Sequence, residues 1–141
     1  MRLFKKFLKH EGGNSTVAGF MLVLPLAIVL TINPLYMLFD TLKYIQLDSI
    51  ARKYIIKMEV EGGLTVTDYA DLISRVAQLG YSNIQVSYTP YPVDFGDTVR
   101  LKIVADMKFR RISFFGGLKN ETKQVCAGPY ESVSKKNPLV Q

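Results

Sequence analysis

Tryptophan is missing from this 141-residue chain, and cysteine and histidine occur once each. Cys126 alone cannot form an internal disulfide, so no covalent staple supports the fold. Its expected place is that of a small buried residue on a strand. His10 lies in a basic N-terminal stub with no catalytic partner, and one Cys with one His cannot supply a zinc site of the usual ligands. No cofactor or metal is expected. A carboxylate pair for acid–base chemistry is also missing. Asp68 and Asp71 fall near the start of a short helix, where acids simply favour the helix dipole. Gly12-Gly13 and Gly116-Gly117 lack the surroundings of a phosphate loop. The formal net charge of +6 divides evenly between the residues before Gly13 and those after Asp40. The outer part is thus only mildly basic, which does not indicate a nucleic-acid partner. Enzymatic function and a small-molecule substrate are not expected.

Charge itself is missing from residues 12–39, which read GGNSTVAGFMLVLPLAIVLTINPLYMLF. Residues 17–39 are long enough to cross a bilayer core as one helix. Thirteen of them are Leu, Ile, Val or Phe. At their insertion values near the bilayer centre these supply about −4 to −8 kcal/mol as an upper limit, which Asn33 and two prolines reduce by a few kcal/mol. Arg2, Lys5, Lys6 and Lys9 precede the span against Glu11 alone. Basic flanks stay on the cytoplasmic side, so the N-terminus is expected inside and everything after Asp40 outside. A cleaved secretory signal has a similar layout. The apolar run is longer than a signal core, no A-x-A site follows it, and Pro34-Leu35-Tyr36 leads directly into another helical pattern. The expected organisation is a cytoplasmic basic leader at 1–13, a transmembrane helix at 14–39 and an extracytoplasmic head at 40–141.

The helical period returns after Asp40. Tyr44, Leu47, Ala51, Tyr54 and Met58 make an apolar stripe widened by Ile50 and Ile55, with Asp48, Arg52, Lys53 and Lys57 on the other side. Nothing but Asn33-Pro34 interrupts the passage from span to stripe. One helix of about 70 Å is expected, bent at the proline and ended by Glu61-Gly62-Gly63. Thr65 and Asp68 then make a capping-box-like start for a second helix, with Tyr69, Leu72, Ile73, Val76 and Leu79 as its apolar face and Gly80 as its end. Period two follows at Ile84, Val86 and Tyr88. Residues 90–97 read as a connection. The clearest strand has Val99, Leu101, Ile103, Ala105, Met107 and Phe109 alternating with Arg100, Lys102, Asp106, Lys108 and Arg110. Gly116-Gly117 makes a turn, and a last strand runs over about 120–127. The expected fold is α+β: the outer half of the long helix and the shorter helix lie on one face of a three-stranded antiparallel sheet.

The N-terminal pattern also carries a resemblance. A basic stub, Gly13, a few small residues, then Phe20 and Leu22-Val23-Leu24-Pro25 in a long apolar helix resembles type IV pilin-like proteins. The likeness is to the TadE-like pseudopilins of the tight-adherence pilus system. It spans about the first 40 residues in motif and the remainder in architecture only. The resemblance implies cleavage by a prepilin peptidase after Gly13, leaving Asn14 as the first residue. The family pattern has a glutamate near the start of the mature helix, whereas this chain has Ala18 and Gly19 there. That carboxylate is thought to meet the free amine of a neighbouring subunit, so its loss bears on both processing and filament incorporation.

Two contact regions follow from the residues. Ser15 and Gly19 form a small-xxx-small pair on which another helix can approach closely, beside Phe20 and Pro25. Arg110, Arg111, Phe114 and Phe115 cluster apolar bulk with positive charge near a turn, which points to a lipid surface or a protein partner. The alternative is that Ile112 and Phe114 fold back into the core. The function expected is that of a non-enzymatic, single-span, pseudopilin-like structural subunit of a pilus, secretion or conjugation apparatus in the bacterial envelope. Its partners would be membrane lipid, other pilin-like subunits or assembly proteins, and a prepilin peptidase. The alternative is a bitopic, membrane-anchored binding or scaffold protein that is neither processed nor assembled into a filament.

Overall fold

The computed structural model describes residues 14–113 and 117–136. Its elements are α1 (Asn14–Glu61), α2 (Val66–Gln78), β1 (Ser82–Tyr88), β2 (Thr98–Ser113) and β3 (Gly117–Val133). The three strands form one antiparallel sheet in the order β1-β2-β3. This is the α+β layout read from the pattern: a long apolar N-terminal helix, a second helix and a three-stranded sheet. Among the described residues, one helix is long and apolar enough to cross a membrane, and it lies near the N-terminus.

The chain divides into two compact units, with α1, β2 and β3 each contributing to both. One unit holds the described residues up to Leu38 together with Arg110–Asn120. The other holds Phe39–Phe109 and the described residues from Glu121 onward.

In the first unit, α1 runs through Pro25 and Pro34 without ending. Each proline lacks an N–H, so the carbonyls of Met21 and Leu30 lose their usual helical partners. Large apolar side chains face outward along this stretch, with Phe20, Met21, Leu22, Val23, Leu24 and Leu30 all more than half exposed. A soluble protein rarely leaves so continuous an apolar surface uncovered. Thr31 turns its hydroxyl back onto its own helix, donating to Ala27 O at 2.9 Å and Ile28 O at 3.1 Å. That removes an unsatisfied donor without outside help.

In the second unit the core is built mainly from two helices and β2, with Ala127 added from β3 and Leu64 and Tyr81 from the connections. Leu47, Ala51, Tyr54, Ile55 and Met58 come from α1, Leu72 and Val76 from α2, and Val99, Leu101, Ile103, Ala105 and Met107 from β2. All are buried. The helical stripe and the strand alternation therefore meet as their periods require. Tyr44 departs from the expected stripe, being 44% exposed. Its hydroxyl donates to Cys126 O at 3.4 Å. Cys126 itself lies on β3 but is half-buried rather than fully enclosed.

Helix α1 ends where predicted. Gly62 N and Gly63 N both donate to Met58 O, at 2.9 and 3.0 Å. Gly63 has φ +120°, and a Cβ there would meet Tyr91 N and Cα at 2.8 Å. Only glycine lets the 89–93 segment approach closely enough for Tyr91 N to donate to Leu64 O. At α2, Thr65 Oγ1 accepts from Asp68 N at 3.2 Å and donates to Asp68 Oδ2 at 2.9 Å. The cap expected from the sequence is in place.

The last strand differs from expectation. It extends from Gly117 to Val133, whereas the residue pattern placed it over about 120–127. Gly128-Pro129 reads as a strand terminator, but β3 is an edge strand, where a proline need not supply a ladder donor. Gly128 has φ +91°, and a Cβ there would meet Leu101 O at 2.8 Å, so glycine admits the neighbouring strand closely.

Candidate functional site

Asn33 is the residue that sequence reasoning valued only as a cost. In the structure its side-chain amide engages Ile112 at both backbone groups. Nδ2 donates to Ile112 O at 3.0 Å, and Ile112 N donates to Oδ1 at 2.9 Å. Both residues lie in the first unit. The pairing imitates what an adjacent β-strand would offer. Strand β1 registers with β2 only as far as Ser82↔Asp106. Arg100 uses both its N–H and its C=O toward Thr89, on the β1 side. Even-numbered residues of β2 share that direction in a regular strand, and Ile112 is one of them. Asn33 thus gives Ile112 the donor and acceptor that an adjacent strand would otherwise supply.

The energetic logic is one of satisfaction. An amide on an uncharged helix has no water to bond if that helix lies in lipid, and an unsatisfied polar group there costs several kcal/mol. The same is true of the Ile112 N–H and C=O on an uncovered strand edge. Each partner solves the other's problem. A search for a signal in the sequence would have to start from Asn33 as the sole carboxamide in residues 15–45.

Ribbon residues Arg110–Asn120 carry Arg110, Arg111 and Lys119 and no acid. Arg110 and Lys119 are exposed, Arg111 is half-buried with Nη1 donating to Arg110 O at 2.7 Å, and Leu118 is 54% exposed. Phe114 and Phe115, the other members of the expected contact, lie outside the described residues. Ile112 does not join the buried core; it is half-buried.

The remaining expected positions fall on α1 or before it. Gly13 is outside the described residues. Asn14 and Ser15 begin the helix. A Cβ added at Gly19 would meet nothing within 4 Å, Phe20 is 66% exposed and Pro25 is exposed. Among the described residues, nothing in the chain covers Gly19, Phe20 and Pro25.

The chain matches no protein-family model, no curated protein and no solved structure.

In the second unit, five carboxylates of α1 and α2 are committed to neighbours. Asp68 accepts from Lys57 Nζ at 2.5 Å, and this bond, with the one from Thr65, holds its carboxyl below the ordinary Asp range against the opposing effect of burial. Glu61, 3.6 Å from the same ammonium, is pushed up, chiefly by burial and then by Asp68. Asp71 accepts from Tyr54 OH at 2.6 Å and Arg75 Nε at 3.0 Å, and both hold its carboxyl low. Asp48 accepts from Tyr130 OH and, at 2.8 Å, from Arg52 Nε, with the guanidinium 5.1 Å from the Tyr130 ring centroid. The Tyr130 bond is the larger reason that the Asp48 carboxyl is lowered. Glu59 pairs with Lys135 and accepts from Ser132 Oγ at 2.8 Å. These contacts bind α1 to α2 and to β3. Among the described residues, no group of His, Cys, Asp and Glu is placed to hold a metal ion.

Tyr81 is the exception to this pairing. Among the described residues, its buried hydroxyl has no hydrogen-bond partner. Burial pushes the phenol up to about 12, with smaller contributions from Tyr44 and Asp40.

Proposed function

We propose that this chain is a non-enzymatic, single-span structural subunit of pseudopilin type, serving a pilus, secretion or conjugation apparatus of the bacterial envelope. Helix α1 anchors it in the cytoplasmic membrane with the basic stub inside. The residues from Asp40 onward form the outer head, whose surface meets neighbouring subunits. The observation that carries this reading is the double character of α1. One unbroken helix presents exposed Phe20, Leu22, Val23 and Leu24 in its first half and buried Leu47, Ala51, Tyr54 and Met58 in its second. A helix that is apolar and uncovered at one end and the core element of an α+β fold at the other suits a membrane-rooted subunit. The Gly13 and Leu22–Pro25 pattern supports processing and assembly of the pilin kind.

The test is mass determination of the membrane-extracted chain. Co-expression with a prepilin peptidase should shorten it by its first 13 residues, and Gly13→Leu should abolish the change. An unchanged mass in both would remove the processed-subunit reading. Ala18 and Gly19, standing where the family pattern has its glutamate, favour a second reading: a bitopic anchored scaffold or binding protein. Sheared extracellular filaments would contain the chain under the first reading and lack it under the second.

A further inference from the structure

The hydrogen bonds between Asn33 and Ile112 fix the β2–β3 ribbon against the uncharged part of α1. Asn33 is the twentieth residue of that helix, which begins at Asn14. Twenty helical residues rise about 30 Å, which matches the hydrocarbon thickness of a bilayer. With the basic stub holding the Asn14 end at the inner boundary, Asn33 arrives at the outer one. Ile112 is then held where acyl chains give way to headgroups. We propose that the ribbon residues Arg110, Ile112, Leu118 and Lys119 are a second membrane contact that docks on anionic phospholipid headgroups, clamped at that depth by Asn33. This rests on the reading of α1 as a bilayer anchor.

Charge and shape both favour lipid as the occupant. Residues Arg110–Asn120 carry three basic side chains and no acidic one. Basic segments at a bilayer surface are drawn to anionic lipid. Arg and Lys also lay apolar stems along greasy surface while their charged heads reach phosphate. Arg110 and Ile112, alternate residues of β2, share a face, so cation and apolar side chain point the same way. Leu118 beside Lys119 repeats the combination on β3, with both exposed. A second copy of this chain would bring like charges together, which opposes docking of ribbon on ribbon.

The absence of tryptophan makes the test direct. Leu118→Trp in the full chain, reconstituted at low protein-to-lipid ratio, gives a single reporter on the ribbon; Leu24→Trp gives one on the helix. Vesicles are phosphatidylcholine alone or mixed with phosphatidylglycerol, and the quenchers are lipids brominated near the headgroup for Leu118→Trp, lipids brominated deep in the acyl chain for Leu24→Trp, and aqueous acrylamide. The Leu118→Trp reporter should be quenched by the brominated lipid and shielded from acrylamide, more so in the anionic mixture. Neutralising Arg110 and Lys119 together as Gln should lower the anionic preference about fivefold per charge. Asn33→Leu should raise the acrylamide-accessible fraction about 5- to 150-fold, the equivalent of the two lost bonds. A lipid-quenched Leu24→Trp with a fully water-exposed Leu118→Trp would overturn this proposal while leaving the anchor intact. A Leu24→Trp unquenched by lipid would overturn the anchor itself. Shielding of Leu118→Trp without lipid quenching would mean that a second copy covers the ribbon, and would equally overturn lipid docking.

Discussion

Replacing Asn33 with leucine keeps the size of the side chain and removes both of its bonds to Ile112. Each such bond contributes a net of about 0.5–1.5 kcal/mol. Losing the pair should therefore cost about 1–3 kcal/mol of local stability at Ile112, where no strand partner from β1 stands in. Amide exchange at Ile112 reports that local opening directly. Its protection should fall about 5- to 150-fold in Asn33→Leu. Val104, paired with Gln85 of β1, supplies the internal control and should keep its protection. Asn33→Asp separates the two bonds: a carboxylate still accepts from the Ile112 N–H but offers nothing to the Ile112 carbonyl. It should retain more protection at the Ile112 amide than leucine does. Equal exchange at Ile112 in the wild type and Asn33→Leu would refute the clamp. An equal loss at Val104 would show that the substitution acts on the whole fold instead.

Other consequences can be measured on the same chain in detergent. Leu101→Ala, at a fully buried position of β2, should cost about 2–5 kcal/mol in denaturant unfolding. Gly63→Ala should destabilise more than Gly80→Ala: both have positive φ, but only the first drives a Cβ into backbone, at Tyr91. Thr65→Ala removes the cap of α2 and should cost about 0.5–2 kcal/mol, read as a lower Tm. Asp68 is held below its ordinary value by Lys57, so its contribution is present above the unfolded pKa and lost as pH falls through the folded one. Acid titration of stability should therefore be shallower in Asp68→Asn below about pH 5, and an identical slope would refute the role given to that pair.

Local patterns with a fixed period were legible in the residues. The stripe from Leu47 to Met58, the cap at Thr65 and the alternation from Val99 to Met107 each follow from geometry within one element, and each is found in the structure. What the residues concealed depends on partners far apart in the chain. Asn33 and Ile112 are separated by 79 residues, and nothing in either neighbourhood announces the other. Asp48 and Tyr130 lie 82 apart, one on the polar side of the helical stripe and the other beyond the expected end of the last strand. The boundary at Asp40 was drawn from hydropathy, which separates span from head. It has no means of seeing that Arg110–Asn120 groups with the helix residues up to Leu38. The end of β3 was hidden for another reason: Gly128-Pro129 is a local stop signal that an edge strand can ignore.

The grip of Asn33 on main chain rather than side chain has an evolutionary corollary. An amide that reads only N–H and C=O is indifferent to which amino acid supplies them, proline excepted. Related chains would then hold a carboxamide at the helix position while the strand position drifts freely. The contact would leave no correlated substitutions for covariation methods to find.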